Sequence, residues 1–310
     1  MATWRSAVNL PPSTFRLHPV SSDIHQRIQE LHRELGRLYK GGRRQETIEL
    51  GRQLLRLIHE HNRLAWDSMA RQGQPLTTPA RDEALRRPMD ALDRRGWLEG
   101  DVAGKRVLCL AGGGGKLAVL FAAAGAVVTV VDLSPEMLAH DREMASRLAL
   151  EIQTVEASMD DLSMLHDASF DLVEQPVSTC YVPSLAPVHR EVARVLVPGG
   201  LYISQHKQPA SLQADTIPSG RGYELIEPYY RSGPLPPAGG GHREPGTLEF
   251  LHRWEDLLGG LCRSGFVIED VVEPSHADDD AEQGTFAHRC RYAAPYIRIK
   301  ARRVERRWRS

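Results

Sequence analysis

Four consecutive glycines, Gly112 to Gly115, follow a short apolar segment, and a second apolar segment further on ends at Asp132. A glycine-rich turn between a strand and a helix lets a ligand approach the main chain closely. The start of the helix presents free N–H groups and a partial positive charge. A carboxylate that closes the next strand can accept hydrogen bonds from two ribose hydroxyls. The spacing therefore predicts a nucleoside-binding site.

A dinucleotide site is one alternative interpretation of the glycines. Its fingerprint, G-x-G-x-x-G, needs a glycine or alanine in the last position. Starting at Gly112 puts Leu117 there, and only a start at Gly113 brings Ala118 into place. A pyrophosphate ligand is therefore less well supported than another nucleoside, and a tight structural turn is the simpler alternative.

Side chains that could act on a substrate lie after the fourth and fifth predicted strands. They are Gln175, Ser178, Tyr181, Ser204 and His206. We rank His206 as the most base-like, because imidazole exchanges a proton near neutral pH. A structural role for this histidine, and a packing role for Tyr181, are the alternatives.

The elements that position these residues form an alternating pattern from about residue 100. Short apolar runs indicate strands, and the segments between them have the length and spacing of helices. This alternation predicts an α/β fold with a doubly wound, mostly parallel sheet. The predicted strands are 107–110, 127–131, 150–154, 170–173 and 201–204, and the predicted helices are 117–124, 136–148 and 188–196.

The two ends of the chain have different patterns. Apolar residues at helical spacing between residues 24 and 69, broken by Gly41–Gly42, predict a helical cap or lid within residues 1–75, after an irregular arm. Residues 76–310 would form the main domain, with a proline- and glycine-rich insertion at about 208–247 and a short strand at 223–226. A helix at 248–262, strands at 266–273 and 296–301, and a solvated arginine-rich tail complete the prediction.

Several motifs in order resemble those of the class I S-adenosylmethionine-dependent methyltransferases. "VLCLAGGGG" and "VVTVVDLSPEML" are similar to the first two motifs, "SFDLV" to the fourth strand, and "REVARVLVPGGLYIS" to the next helix and the fifth strand. The resemblance is clear over about residues 60–207 and continues more weakly to about 301. It is closest to a bacterial subgroup with "N-x-x-A-W-D" upstream, here Asn62–Asp67, and "P-V-S", here Pro176–Ser178. The resemblance implies a seven-stranded Rossmann-like sheet.

The resemblance also implies how S-adenosylmethionine would bind. The glycine loop would pass under the methionine part, Asp132 would hold the ribose, and Leu133 would lie beside the adenine. The loop after the third strand would face the adenine edge, while the end of the fourth strand would approach the sulfonium. The implied cofactor-binding residues are Ala111, Gly112, Gly113, Gly114, Gly115, Asp132, Leu133, Ser158, Met159, Asp160, Gln175, Pro176, Trp66 and Thr78.

Three positions depart from the family pattern. Cys109 stands where the first strand usually carries an acid, Ala111 replaces the first glycine, and Ser158 replaces the usual acid before Met159. The missing acid normally helps to orient the glycine loop, so another group must do this. Asp160 or Asp161 could substitute for the acid at Ser158.

The composition restricts the partners of the protein. A hydrophobic content of 41% and a charged content of 25% are typical of a globular domain, and a net charge of −1 does not favour a nucleic acid. We see no secretory signal and no apolar run long enough for a membrane span. The four cysteines have no paired spacing, which argues against disulfides and metal and fits the cytoplasm. A homodimer is left open.

Together these features predict methyl transfer from S-adenosylmethionine to a small molecule, in secondary metabolism. One alternative keeps the cofactor and changes the reaction: its amino group attacks its own side chain, forming azetidine-2-carboxylate and releasing methylthioadenosine. A non-catalytic protein that binds S-adenosylmethionine is a second alternative, motivated by Cys109 and Ser158. A nicotinamide dehydrogenase is a third.

Overall fold

The computed structural model describes residues 20–237 and 242–304. The expected irregular arm at the N-terminus and the arginine-rich tail beyond residue 304 lie outside the described residues. Within these ranges, no helix combines the length and the apolar character needed to cross a bilayer.

A seven-stranded sheet forms the centre of the molecule, with the order β3-β2-β1-β4-β5-β7-β6. Strands β1 to β5 are mutually parallel, and β7 runs antiparallel to both of its neighbours. The predicted doubly wound, mostly parallel fold is confirmed. The strands are β1 Arg106–Leu110, β2 Val127–Asp132, β3 Ile152–Glu156, β4 Phe170–Gln175, β5 Leu196–Lys207, β6 Phe266–Val272 and β7 Tyr296–Arg303.

Helices cover both faces of this sheet and the predicted N-terminal cap is present as two long helices. They are α1 Val20–Lys40, α2 Arg44–Arg71, α3 Asp82–Arg86, α4 Pro88–Leu92, α5 Leu117–Ala123, α6 Pro135–Leu148, α7 Leu185–Val195, α8 Pro209–Gln213, α9 Gly260–Arg263 and α10 Phe286–Arg289. Short 3₁₀ turns occur at Pro75–Thr77 and Thr179–Tyr181, and a π turn at Glu255–Gly259 precedes α9.

Strand β1 shows how the sequence builds the two layers of core. Side chains alternate between the faces of a strand, so Leu108 and Leu110 join the core on the α7 side, whereas Val107 and Cys109 join the core on the α5 side. All four are fully buried. This unbroken apolar run is what a parallel strand covered on both faces requires.

Four local predictions are wrong. Strand β5 begins at Leu196 and ends at Lys207, whereas the expected strand covered only 201–204. Strand β3 begins two residues later than expected. The short strand expected at 223–226 is reduced to a single bridge between Leu225 and Ala214. The helix expected from residue 248 begins only after Trp254, because residues 248–253 are bonded to other segments: the Leu248 N–H donates to Asn62 and the Phe250 N–H to Cys180.

Candidate active site

The ends of β1, β2, β3 and β4 bring most of the predicted cofactor residues to one edge of the sheet. The Ala111 N–H bonds to the Val131 carbonyl at 2.7 Å, and the Ala157 N–H to the Asp132 carbonyl at 3.0 Å. The glycine loop therefore lies between Asp132 and the end of β4. This is where the strand order reverses, between β1 and β4, and where ligands of open α/β sheets bind.

The N–H groups of the glycine loop are already bonded to carboxylates. Gly113 donates to Asp132 Oδ2 at 3.0 Å, while Gly114 and Gly115 donate to Asp141 Oδ2 and Oδ1 at 2.9 and 3.0 Å. The expectation of free N–H groups is wrong for these three glycines. The loop consequently presents carboxylates where a pyrophosphate would need donors, and this favours a cationic ligand.

The glycines are required by the close packing of the loop on α6. A Cβ atom at Gly113 would lie 2.9 Å from Met137 Cβ. Gly115 has a φ of +71°, and its Cβ would lie 3.0 Å from both the His140 carbonyl oxygen and Met144 Cγ. The loop is therefore fixed in place by helix packing, with little room for larger residues.

Asp141 is a residue of this site that sequence reasoning missed. It is fully buried on α6, and burial raises its pKa to about 7 against the pull of the Gly114 and Gly115 N–H groups. Asp141 orients the glycine loop from helix α6. In the family pattern, an acid in the first strand does this, and Cys109 stands at that position here. The signal was present in the sequence, because Asp141 falls in the apolar stripe of α6 with Met137, Leu138 and Met144.

Asp132 is the second carboxylate beside the loop, and it is half-buried. Burial raises its pKa to about 6, although N–H groups of Ser134 and Gly113 favour the charged form. The Ser134 N–H donates to Oδ1 at 2.9 Å. Each carboxylate oxygen thus has one of these donors and retains capacity for a further one. Leu133, next in the chain, is half-buried beside it.

The loop after β3 is tied to the helical cap. Ser158 Oγ and Asp160 Oδ2 both lie 3.2 Å from His59 Nε2 on α2. Burial acts to raise the pKa of Asp160, but the bond and the charge interaction with His59 outweigh it, and the pKa is lowered. The other oxygen of Asp160, Oδ1, is buried without a partner among the described residues. It is an acceptor available to a ligand donor. Met159, the preceding residue in the chain, is buried.

Gln175 is fully buried and its amide is occupied by protein groups. Its oxygen accepts a hydrogen bond from Tyr202, and its nitrogen lies 2.8 Å from Ser178 Oγ and 3.3 Å from Met159 Sδ. Pro176, the next residue, is half-buried. The structure therefore gives Gln175 a role in holding the end of β4 and leaves Pro176 closer to the surface of the site.

His206 and Ser204 lie inside the protein. Both are fully buried, and the two ring nitrogens of His206 lie 2.8 Å from Thr179 Oγ1 and from Ser204 Oγ. Burial lowers the pKa of His206 to about 3, so the imidazole is neutral. Ser204 and Thr179 occupy both ring nitrogens of His206, and a catalytic role for this pair stays a prediction.

Helix α2 covers the edge of the sheet through the predicted "N-x-x-A-W-D" segment. The Asn62 amide donates to the carbonyls of Tyr181 and Leu248 at 3.0 and 3.1 Å. The rings of Trp66 and Tyr181 meet edge to face with centroids 5.6 Å apart. Both aromatic residues of the prediction are thus brought together above the strand ends.

Thr78 is exposed, and its hydroxyl donates to the Pro75 carbonyl. Its segment nevertheless touches the glycine loop, because the Ala80 N–H bonds to the Gly115 carbonyl at 2.9 Å. The structure places Thr78 near the loop without directing its hydroxyl to a ligand.

A buried ionic cluster beside Tyr181 was also missed. Lys207 Nζ, at the end of β5, lies 2.5 Å from Glu244 and 3.0 Å from Glu249, and all three side chains are at most 12% exposed. Glu244 also bonds to Tyr181. The charges come from distant parts of the chain, and no local pattern signals their meeting.

The doubly wound sheet, the glycine loop and the strand-end carboxylate together define a nucleoside-binding α/β protein. Its loop suits a cation better than a phosphate. Oδ1 of Asp160, which has no partner among the described residues, could accept a hydrogen bond from the amino group of an adenosyl cofactor. The carboxylate of Asp132 could accept further hydrogen bonds from the ribose hydroxyls.

Comparison with known proteins identifies the family. Residues 108–204 match the methyltransferase domain family. The uncharacterized methyltransferase YbaJ of Bacillus subtilis is 34% identical over 233 residues, which cover 69% of this chain and 89% of that protein. A ubiquinone biosynthesis O-methyltransferase of Xanthomonas oryzae is 35% identical over 113 residues, covering 36% of this chain and 47% of that one.

Solved structures agree with this assignment. The crystal structure of an S-adenosylmethionine-dependent methyltransferase from Mesorhizobium loti is 26% identical, with a TM-score of 0.52, and the match covers 71% of this chain and 100% of that one. The chain belongs to the class I S-adenosylmethionine-dependent methyltransferases, and its cofactor is S-adenosylmethionine.

Proposed function

We propose that this methyltransferase acts on a small-molecule acceptor. Helix α2 supports the proposal, because Asn62, Trp66 and Asp67 fasten it over the strand ends, where it covers part of the cofactor edge. A site covered by a helix suits a small substrate better than a macromolecule. The Xanthomonas oryzae relative, by its name, methylates in ubiquinone biosynthesis, which is small-molecule chemistry.

The cofactor part of the proposal depends on one observation: the carboxylate of Asp132 lies beside a glycine loop whose N–H groups donate to Asp132 and Asp141. Bound S-adenosylmethionine supplies a methyl group on a positively charged sulfur. We assign Asp132 to the ribose hydroxyls, and Asp160 Oδ1 to a donor on the adenine. The Trp66 ring can face the positive charge, since aromatic faces attract cations.

The remaining assignments to the cofactor come from the same edge of the sheet. Half-buried positions there can line the cofactor directly, and buried ones hold the loops in place. The proposed set is Ala111, Gly112, Gly113, Gly114, Gly115, Leu133, Ser158, Met159, Gln175 and Pro176, with Thr78 near the methionine end.

Tyr181 is the residue that we assign to the acceptor side. It is bonded to Glu244 and packed against Trp66, so it stands between the cofactor edge and the buried ionic cluster. Burial raises the pKa of its hydroxyl well above the usual range, with added repulsion from Glu244. The phenol is therefore neutral and can donate or accept a hydrogen bond while excluding water. A cytoplasmic location, a place in secondary metabolism, the absence of nucleic-acid substrates and a homodimer stay predictions.

Product analysis tests the proposed reaction. The protein is incubated with S-adenosylmethionine alone and then with a panel of small hydroxylated, amino and thiol compounds, and the nucleoside products are measured by mass spectrometry. We expect S-adenosylhomocysteine to form only with an acceptor. Methylthioadenosine formed from the cofactor alone would show ring closure or another alkyl transfer instead.

A further inference from the structure

A cavity lies beside Lys207, a member of the buried ionic cluster, at the end of β5. Its volume is about 160 Å³, close to that of an engineered cavity that holds benzene. Lys207 at the end of β5 and Tyr296 at the start of β7 form part of its wall, so it opens at the same edge of the sheet. Through Lys207 and Glu244 it is connected to Tyr181.

Arg289 gives this cavity an unbalanced positive charge. Its side chain is 4% exposed, and Nη1 donates to the Ser211 carbonyl at 2.7 Å. Its Nε–H has no partner, and it forms no ion pair with the described residues. A buried guanidinium without a counter-ion is costly unless a ligand supplies one.

The other charges of the lining do not neutralise Arg289. Lys207 is paired with Glu244 and Glu249, and Glu227 is paired with Arg231. Arg243 also lines the cavity and repels Arg289, lowering its pKa further after burial has lowered it. Asp215 is the remaining carboxylate of the lining, and it accepts the Ile217 N–H. Arg243 acts by charge on Glu249, which Lys207 already pairs, and Arg289 forms no ion pair with Asp215 in the described chain.

His242 supplies an acceptor in the same cavity. Its Nε2 lies 3.2 Å from the Gly284 carbonyl, which can only accept, so Nε2 carries the hydrogen. Burial and the charge of Arg289 lower its pKa to about 4, and the ring is neutral. Its Nδ1 is buried without a partner and is therefore a free acceptor. A hydroxyl suits this acceptor better than an ammonium, because Arg289 and Arg243 would repel a second cation.

We propose that this cavity binds the carboxylate of a small hydroxy acid that forms part of the methyl acceptor, with Arg289 holding the carboxylate and His242 accepting from the hydroxyl. The proposal rests on the proposed function only in identifying the ligand as the methyl acceptor. Binding of a hydroxy acid in the cavity does not require bound cofactor.

Matched probes test the two contacts. Lactate, its neutral amide lactamide, and propionate, which lacks the hydroxyl, are titrated into the protein at constant ionic strength while the unfolding temperature is followed. We expect lactate to raise the midpoint by roughly 2–4 °C at saturation. Propionate should act more weakly and lactamide hardly at all. Equal shifts with lactate and lactamide, or no shift with either, would overturn the proposal.

Two variants locate the binding. Arg289→Gln should abolish the lactate shift, while Arg291→Gln, at an exposed position two residues away, should keep it. Because Arg289 also holds Ser211, the variant could lose stability; His242→Phe then serves as the second test and should reduce the lactate shift to that of propionate. A full lactate shift in Arg289→Gln or His242→Phe would place the ligand elsewhere.

Calorimetry with S-adenosylmethionine separates the two claims. Cofactor binding without discrimination between lactate and lactamide would sink the cavity proposal and leave the methyltransferase assignment standing. Lactate binding without turnover on any hydroxylated acceptor would leave the cavity as a binding site and overturn its assignment to the methyl acceptor.

Discussion

The carboxylate of Asp67 on α2 accepts a hydrogen bond at 2.6 Å from the hydroxyl of Ser134, 67 positions away. The same hydroxyl accepts from the Met137 N–H and so caps the N-terminus of α6. One serine therefore joins the helical cap to the helix that carries Asp141. Since Ser134 also donates its N–H to Asp132, the cap, the loop and the proposed ribose acid form one connected unit.

Asp67→Asn tests this connection. Asp67 is 2% exposed and also accepts from Arg63 at 2.8 Å, so an amide would keep the shape but lose the charge and one acceptor. We expect the free energy of unfolding to fall by about 1.5–3 kcal/mol, the usual range for a charged hydrogen bond. Urea titration measures it. Asp90→Asn, at a side chain that is 72% exposed, is the control, and its free energy of unfolding should stay near that of the wild type. Equally small losses of stability in the two variants would argue against the connection.

Gly115→Ala tests the packing of the glycine loop on α6. Gly115 and Gly73 both have positive φ, +71° and +62°, so alanine is strained at either position. Only at Gly115 would the new Cβ meet other atoms, whereas Gly73 has open space within 4 Å. We expect Gly115→Ala to be less stable than Gly73→Ala by about 1–3 kcal/mol, the usual effect of overpacking. Similar urea midpoints for the two variants would contradict this.

The parts of the fold that the sequence predicts are those with local signals. Apolar runs and their spacing identify the strands and helices of the sheet, and the glycines and Asp132 identify the cofactor edge. Residues 248–253 show where this fails: the segment has a helical composition, yet its N–H groups bond to Asn62 and to the Cys180 carbonyl in distant segments. Tertiary partners decide its conformation, and no local pattern contains them.

In the site, too, residues with a local sequence signal were predictable and residues placed by tertiary contacts were not. Asp132 and the loop were predictable because they belong to one motif. His206 looked like a base in the sequence, and only the packing of Thr179 and Ser204 around its ring shows that it lies in the interior. The contact of Lys207 with Glu244 and Glu249 joins β5 to the insertion, and spacing along the chain does not encode it.

Asp132→Ala tests the assignment of the ribose acid. Two hydroxyls would lose a charged acceptor, and we expect the affinity for S-adenosylmethionine to fall roughly 10- to 150-fold, equivalent to 1.5–3 kcal/mol. Isothermal titration calorimetry measures the change. Asp101→Ala, an exposed carboxylate before β1, is the control and should bind normally. Normal binding by Asp132→Ala would place the ribose elsewhere.

Asp141 should make the stability of the protein decrease as the pH rises. Its pKa is 3.8 in the unfolded reference and about 7 when folded, so between these values the folded state binds more protons than the unfolded state. Its contribution is fully present below the lower value and is lost as the pH passes the higher one. Asp141→Asn cannot titrate, and the advantage of the wild type over it should shrink across this window. Unfolding by urea at a series of pH values measures the difference; curves that stay parallel would mean that Asp141 titrates normally.

His206 should act in the opposite direction. Burial lowers its pKa from 6.5 to about 3. Below pH 6.5 the unfolded state therefore binds a proton that the folded state does not bind. Its contribution to stability is present above the unfolded pKa and is lost as the pH falls towards the folded one. His206→Gln removes the titration, and the stability of the wild type relative to this variant should drop as the pH is lowered from 6.5. His166→Gln, at an exposed position, controls for the substitution. If His206 instead titrated at its usual pKa, as an accessible general base would, the wild type and His206→Gln would keep a constant difference over this range.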